Sequence, residues 1–181
     1  MTNDKSQLRI EARARRKALA AAQPDFAQAL AGHADALPLR AGTIVGAYYA
    51  LPDEADPALL LAALVERGHH IAFPRVVTKD VPLEFHRVPD GDVLRAGAYG
   101  IAEPAAHFPR VKPDLLLVPL LAFDARRHRL GMGGGFYDRT LEALRVPAIG
   151  IAFAGQQLPS LPAEPHDIAL DAILTEHGLI S

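Results

Sequence analysis

The 181 residues of this chain predict one α/β domain, in which a mostly parallel sheet is flanked by helices and preceded by a helical N-terminal arm. Two long apolar segments, residues 43–51 and 114–123, are typical of strands that are buried on both faces. Strand and helix patterns alternate along the chain, and no internal repeat or low-complexity linker interrupts them. Since 50% of the residues are hydrophobic, the chain can fill the core of such a domain. We therefore treat residues 1–181 as a single domain.

The first half of the chain predicts an alternation of helices and strands. The N-terminal segment lacks glycine and proline and follows the capping residues Thr2 and Asn3. Pro24 begins a second helical segment, and Gly68 ends a third. A strand, a helix and a strand in succession imply a parallel strand pair. The predicted helices span 4–22, 25–37 and 58–67, and the predicted strands span 43–51 and 70–76.

The second half predicts further strands and one more helix. Pro119 lies inside the most apolar segment, and it indicates that a strand ends or bulges there. Residues 89–113 are rich in glycine and proline and are predicted as loops. The predicted strands span 83–88, at an edge of the sheet, 114–123, 147–153 and 172–175, and the predicted helix spans 136–145.

Charge and composition exclude several classes of protein. The net charge of −2 lacks the basic excess that is typical of nucleic-acid binding. The absence of cysteine excludes a disulfide scaffold, a thiolate nucleophile and a thiolate zinc site. The N-terminal segment is charged rather than apolar, and no apolar run approaches about 18 residues. We therefore expect a cytoplasmic protein with no nucleic-acid or membrane partner.

A glycine-rich segment between a predicted strand and a predicted helix is the strongest functional signal. Its glycines can adopt positive φ and point backbone N–H groups into one concavity, beside the partly positive N-terminus of a helix. Such a segment can bind phosphate, although it could also be a flexible connection. A β-branched residue at the third glycine would oppose positive φ and block a nucleotide. The four glycines are Gly131, Gly133, Gly134 and Gly135.

Charged residues on either side of the glycines extend this interpretation. Arg129 can add a fixed positive charge, and Asp138 can hold a magnesium ion or interact with the helix dipole. Lys5, Arg9 and Arg13 are spaced four apart and share one face of the first helix. That stripe can bind nucleotide phosphates, form a solvated basic face or touch RNA.

Two tyrosines lie in the first predicted strand, and an acidic residue follows its end. Ligands of open α/β sheets gather at the carboxyl ends of the strands. Glu54 can therefore hydrogen-bond the donor edge of a ligand, or it can be an exposed turn residue. Tyr48 and Tyr49 alternate faces, so we expect one to line a pocket and the other to be core.

The glycine-rich segment, RLGMGGGFYDR, resembles the signature R-L-G-x-G-G-G-Y-Y-D-R of the 5-formyltetrahydrofolate cyclo-ligase family. Four further motifs match that family in the same order. The chain departs from the family where Arg127 replaces a usual glycine, where Phe136 replaces a usual tyrosine, and at Met132, where an aromatic or basic residue is common. The four further motifs are KSQLR at 5–9, PDE at 52–54, GIAEP at 100–104, and PHD at 165–167 with Asp171.

The resemblance implies a fold and an activity. The fold is the three-layer α/β/α arrangement that the family shares with sugar-phosphate isomerases and CoA-transferase-like domains. The activity is a ligase reaction forming a C–N bond, in which 5-formyltetrahydrofolate and ATP, with Mg2+, give 5,10-methenyltetrahydrofolate, ADP and phosphate. Two rival functions stay open: a phosphosugar-type isomerase on the same scaffold, and a non-catalytic paralogue that binds folate or RNA. We expect a monomer.

The resemblance also implies roles for individual residues. Asp138 and Asp167 are expected to bind the metal, and Arg129, Tyr137 and Asp138 are expected to be catalytic. The residues expected to contact the folate are Tyr49, Glu54, Met132 and Tyr137. The residues expected to contact ATP are Lys5, Arg9, Arg129, Gly131, Gly133, Gly134, Gly135, Phe136, Tyr137 and Asp138.

Overall fold

The computed structural model describes residues 5–88, 95–97, 102–162 and 168–181. Its helices match the predicted positions, although the second is shorter than expected because the chain continues as a 3-10 turn over Ala34–Ala36. A second 3-10 turn spans Ala154–Gln156. The α-helices are α1 (Lys5–Ala22), α2 (Phe26–Ala31), α3 (Ala58–Glu66) and α4 (Phe136–Leu144).

The described residues form one large sheet of eight strands, in the order β12-β11-β10-β7-β1-β2-β3-β6. The central strands β11, β10, β7, β1 and β2 are parallel, and the outer pairs are antiparallel. The remaining strands form two small ribbons, β4–β5 and β8–β9. The strands are β1 (Ile44–Gly46), β2 (His70–Arg75), β3 (Glu84–Arg87), β4 (Arg95–Ala96), β5 (Ala102–Glu103), β6 (Arg110–Val111), β7 (Leu115–Pro119), β8 (Ala122–Phe123), β9 (Arg129–Leu130), β10 (Ala148–Ile151), β11 (Ala172–Thr175) and β12 (Gly178–Ile180).

Strand β7 shows why the domain has three layers. Its apolar side chains alternate between the two faces of the sheet. Leu115 and Leu117 pack into one core with α2 and α3, whereas Leu116 and Val118 pack into a second core with α4. Both cores are fully buried around this strand, so the prediction of a mostly parallel sheet between helical layers is confirmed.

Several strand predictions were wrong in detail, and the short strands β4, β5 and β6 lie within residues 89–113, which were predicted as loops. Strand β1 ends at Gly46 rather than Leu51, because the chain leaves the sheet soon after Ala47 and the Tyr48 hydroxyl donates to the Ala55 carbonyl. Strand β3 is not at an edge, because β6 pairs with its outer side. Strand β12 was missed, since it is only a short antiparallel return against β11.

Helix α1 packs at the carboxyl ends of the central strands. Its residues Leu8 and Ala12 are buried with Leu121 and Leu130, which belong to the segment that follows β7. Further along α1, Leu19 packs so closely on Gly155 that a Cβ there would lie 2.6 Å from it. Within the described residues, no helix is both long and apolar enough to cross a membrane.

Candidate active site

A cavity of about 620 Å³ lies where α1, the carboxyl ends of β1, β2 and β7, and the start of α4 meet. Almost all the residues that the sequence predicted for the site line this cavity, whereas Asp167 lies outside the described residues. The location is that expected for an open parallel sheet. The predicted residues around the cavity are Lys5, Arg9, Tyr49, Glu54, Arg129, Gly131, Met132, Gly133, Gly134, Gly135, Phe136, Tyr137 and Asp138.

The glycine-rich segment from 131 to 135 forms one wall of the cavity and contacts Arg9 of α1. The Arg9 Nε donates to the Gly131 carbonyl at 3.1 Å. The guanidinium lies against Gly133, where a Cβ would be 3.4 Å from the Arg9 Cζ. Gly133 and Gly135 have φ of +97° and +66°. The positive φ expected at Gly134 is wrong, because the left-handed residues are its two neighbours and Gly134 itself would place a Cβ 3.0 Å from the Phe136 ring.

Arg129 and Asp138 form an ion pair at the foot of this segment. The Arg129 side chain is buried and its Nη1 also donates to the Ile168 carbonyl at 2.9 Å. Asp138 is partly exposed to the cavity. The pair therefore presents a fixed guanidinium and a carboxylate side by side, on the first turn of α4 and on β9.

Glu54 lines the cavity from the turn after β1, is buried, and is held by two donors. Arg16 Nη1 donates to Glu54 Oε1 at 3.1 Å, and the Leu51 amide donates to Oε2 at 2.9 Å. Burial raises the pKa of Glu54, and these two contacts oppose that rise. Glu54 is thus not an exposed turn residue, which was the alternative that the sequence left open.

The tyrosines of the cavity are neutral hydrogen-bonding groups. Tyr48 is buried, and burial with the nearby Glu54 charge raises its pKa. Tyr49 stacks on Phe73 with ring centroids 4.1 Å apart, and burial raises its pKa to about 12. Burial and the charge of Glu54 also raise the pKa of Tyr137. Tyr48 belongs to the buried core, as was expected of one of the pair, but it lines the cavity as well as Tyr49 does.

A family model for 5-formyltetrahydrofolate cyclo-ligases matches residues 1–176. The chain belongs to this family. It is 34% identical to the 5-formyltetrahydrofolate cyclo-ligase of Haemophilus influenzae, covering 96% of this chain and 98% of that one. It is 33% identical to the enzyme of that name from Mycolicibacterium smegmatis, covering 98% and 96% of the two chains.

Solved structures agree with the family assignment. The 5,10-methenyltetrahydrofolate synthetase of Aquifex aeolicus, determined by NMR, superposes with a TM-score of 0.82 at 28% identity, over 97% of this chain and 91% of that one. The fold of a 5,10-methenyltetrahydrofolate synthetase from Mycoplasma pneumoniae also matches, with a TM-score of 0.75 at 24% identity, over 96% and 99% of the two chains. The resemblance that the motifs indicated is therefore confirmed.

Sequence reasoning assigned no role to three charged side chains that line the cavity of this cyclo-ligase family member: Arg16, Lys79 and Glu103. Arg16 was not singled out from the sequence, and it is buried. Its signal is its spacing, because Leu8, Ala12 and Arg16 follow each other at intervals of four on the buried face of α1. Lys79 lies in a segment whose sequence carries no comparable pattern, whereas Glu103 belongs to the GIAEP motif, to which the sequence assigned no chemical role.

Asp124 organises the ribbon that carries Arg129. Its Oδ1 accepts hydrogen bonds from the amides of Arg126 and His128, at 2.9 and 3.1 Å. Its Oδ2 accepts from the Leu161 amide at 3.1 Å and from the Arg126 guanidinium at 3.0 Å. Burial alone would raise the pKa of Asp124, but these hydrogen bonds together hold it below its usual value.

The turn of the same ribbon explains one departure from the family signature. Arg127 has a φ of 63°, the left-handed conformation that favours glycine. Hydrogen bonds with Leu170 hold it there: Arg127 Nε donates to the Leu170 carbonyl at 3.1 Å, and the Leu170 amide donates to the Arg127 carbonyl at 3.0 Å. The chain thus accommodates a side chain where the family usually has glycine.

We predict that Asp124→Asn lowers the free energy of unfolding at pH 7 by about 1–3 kcal/mol, because an amide nitrogen would face buried backbone donors. Because the folded pKa of Asp124 is lowered, its contribution is present above the unfolded pKa of about 4 and is lost as the pH falls through the folded pKa. The free energies of unfolding of the Asp124→Asn variant and of the unchanged protein should therefore become more similar as the pH is lowered from 7 to 3. Urea unfolding at several pH values measures it.

A matched control is Asp25→Asn, since exposed Asp25 makes no side-chain hydrogen bond at the start of α2. This change should alter stability by less than about 0.5 kcal/mol. Equal effects of the two substitutions would mean that Asp124 does not organise the ribbon.

Proposed function

We propose that this chain converts 5-formyltetrahydrofolate and ATP into 5,10-methenyltetrahydrofolate, ADP and phosphate in the cavity between α1 and α4. Membership of the cyclo-ligase family supports the reaction. The observation that carries the assignment to this cavity is the arrangement of its walls. A cationic, glycine-rich wall and a buried carboxylate face the same space, so a phosphate donor and a pterin can meet there.

The nucleotide occupies the glycine-rich side in this proposal. Lys5 and Arg9 reach the segment from α1, and Arg129 reaches it from β9. Backbone N–H groups near the N-terminus of α4 add partial positive charge. These groups can neutralise the phosphates and hold the γ-phosphate towards the folate.

The folate occupies the side of Glu54. The carboxylate can accept hydrogen bonds from the ring N–H and amino group of a pterin, because each of its oxygens has a second lone pair beyond the contacts with Arg16 and Leu51. Tyr49, stacked on Phe73, offers an aromatic wall, and exposed Met132 lies at the rim. Tyr137 also lines the cavity and is neutral, so its hydroxyl can donate a hydrogen bond to the reacting group.

The reaction needs positioning rather than a protein nucleophile. The formyl oxygen attacks the γ-phosphorus while the bond from that phosphorus to the bridging oxygen breaks and ADP leaves. N10 of the folate then attacks the formyl carbon and loses its proton to solvent, and the bond from that carbon to the phosphorylated oxygen breaks as phosphate leaves. The side chains hold the reactants in line and stabilise the charge that moves onto the phosphate oxygens. The absence of cysteine in the chain is consistent with this chemistry.

Magnesium is part of the proposal, with Asp138 as its ligand. The described residues hold no cluster of three or more metal-ligating side chains. Mg²⁺ that accompanies a nucleotide needs only one or two carboxylates beside the phosphates, and Asp138 can supply one from the first turn of α4. Bound there, the ion would neutralise phosphate charge. The role of Asp167, the monomeric state, the cytoplasmic location and the absence of nucleic-acid or membrane partners stay predictions from the sequence.

The test of the proposed function is the absorbance of methenyltetrahydrofolate, followed with and without ATP. We expect product only when the protein, 5-formyltetrahydrofolate, ATP and Mg²⁺ are all present. Turnover of a sugar phosphate without ATP would favour the isomerase alternative. Binding of folate without turnover would favour the non-catalytic alternative.

We predict that Lys5→Ala and Arg9→Ala each weaken ATP binding by about 1–3 kcal/mol, the usual loss for a charge-assisted hydrogen bond. Affinity for 5-formyltetrahydrofolate measured without nucleotide should change less. Isothermal titration with each ligand gives both affinities.

Arg13→Ala is the matched control, because Arg13 continues the same stripe of α1 but is exposed and does not line the cavity. It should bind ATP like the unchanged protein. Equal weakening by all three substitutions would mean that the helix acts only through its general positive charge.

We predict that Glu54→Gln lowers kcat/KM for 5-formyltetrahydrofolate roughly 100-fold, or about 2.7 kcal/mol. The substitution preserves size but replaces an anionic acceptor by a donor that faces the donors of the pterin. The affinity for ATP should stay within twofold. A variant with unchanged folate kinetics would show that the pterin is held elsewhere.

A further inference from the structure

Arg16 is a charged residue on the buried face of α1. Its side chain is 2% exposed, on the face of α1 that packs against the rest of the domain. Nη2 donates to Asp53 Oδ2 at 3.0 Å and Nη1 donates to Glu54 Oε1 at 3.1 Å. Nε is buried without a hydrogen-bond partner among the described residues. One guanidinium thus joins the N-terminal helix to both acids of the turn after β1.

Stability alone does not explain this arrangement. A buried guanidinium loses its hydration, and replacing a buried ion pair by apolar groups is often neutral or stabilising. Leu8 and Ala12 on the same face of α1 show that apolar residues suffice for packing elsewhere along the helix. The unpaired Nε adds a further cost. A function for the charge at this position is therefore the better explanation.

We propose that Arg16 is a positioning residue for folate recognition, which fixes the orientation and the negative charge of the Glu54 carboxylate. This inference rests on the proposed function, in which Glu54 accepts hydrogen bonds from the pterin. Arg16 donates to one lone pair of Oε1, and the Leu51 amide donates to one lone pair of Oε2. The carboxylate cannot rotate without losing both contacts, so its remaining lone pairs keep a constant direction.

The groups around Glu54 favour its protonated form, and the charge of Arg16 opposes this effect. Asp53 on the same turn carries a negative charge, and its effect raises the pKa of Glu54 as burial does. The phenols of Tyr48 and Tyr137 face the carboxylate and stay neutral, and Asp56 adds another negative charge near Tyr48. Arg16 supplies the positive charge that opposes them. Without it, Glu54 would bind a proton at higher pH and offer the pterin a donor instead of an acceptor.

The decisive variants are Arg16→Met and Arg16→Lys. Methionine keeps an unbranched stem of similar packing but removes the charge, whereas lysine keeps the charge but cannot reach two carboxylates as a fork. Isothermal titration with 5-formyltetrahydrofolate and, separately, with ATP is run between pH 6 and pH 8. We expect Arg16→Met to weaken folate binding at least tenfold at pH 7 with ATP affinity within twofold, and Arg16→Lys to recover part of that loss.

The pH dependence distinguishes positioning from a general structural role. Folate binding by the methionine variant should fall as the pH is lowered, with its midpoint about one unit above that of the unchanged protein. In a Glu54→Gln background, Arg16→Met should cause little additional loss, since the two residues act as one unit. A full additional loss, or equal weakening for both ligands without any pH shift, would overturn the proposal.

Two controls keep the outcomes separable. Arg13→Met removes a charge from the exposed face of the same helix and should leave folate binding unchanged. If Arg16→Met does not fold, Arg16→Lys carries the test, and a wild-type folate affinity and pH profile in that variant would overturn the proposal. If Glu54→Gln alone binds folate normally, the folate site of the proposed function is wrong, whereas loss with Glu54→Gln but not with Arg16→Met overturns only the role of Arg16.

Discussion

The contact between Arg16 and the acidic turn after β1 links the N-terminal helix to the carboxyl end of the first strand. Helix α1 lines one side of the cavity, and besides its apolar packing two charged side chains bind it to the neighbouring segments. Arg16 binds Asp53 and Glu54 near one side of the cavity, and Arg9 binds the Gly131 carbonyl near the other. One rigid helix therefore spans both proposed substrate sites, and side chains two turns apart on it serve different ligands.

The opposite wall depends on hydrogen bonds to backbone groups. Asp124 accepts hydrogen bonds from the turn of the β8–β9 ribbon and from the Leu161 amide. Strand β9 thereby places Arg129 beside Asp138 on the first turn of α4. Arg139 links the glycine-rich segment to residue 79, because its Nη2 donates to the Gly134 and Lys79 carbonyls. A segment with so few side chains keeps its shape because its neighbours bind its carbonyl groups.

The distribution of charge inside the cavity suits a reaction between two anionic substrates. Cationic residues gather at the glycine-rich wall, whereas the buried Glu54 faces the other end. The phenol of Tyr137 lines the same cavity, and burial together with the Glu54 charge raises its pKa, so it stays neutral. Each end can thus recognise a different chemical group, and Tyr137 offers a hydrogen bond without adding charge.

Much of this architecture follows from local sequence patterns. The apolar run at 114–123 determined a strand buried on both faces, and its Pro119 marks the end of β7. The clustered glycines and the RLGMGGGFYDR motif located the loop at the start of α4 and indicated the family, because backbone conformation and ligand chemistry constrain those residues directly. Only the tertiary structure decided which charged residues meet. Arg16 and Glu54 are separated by 38 positions, and Arg9 and Gly131 by 122. Their contacts depend on how α1 packs against the sheet, and helical periodicity alone cannot show which buried carboxylate a buried guanidinium will find.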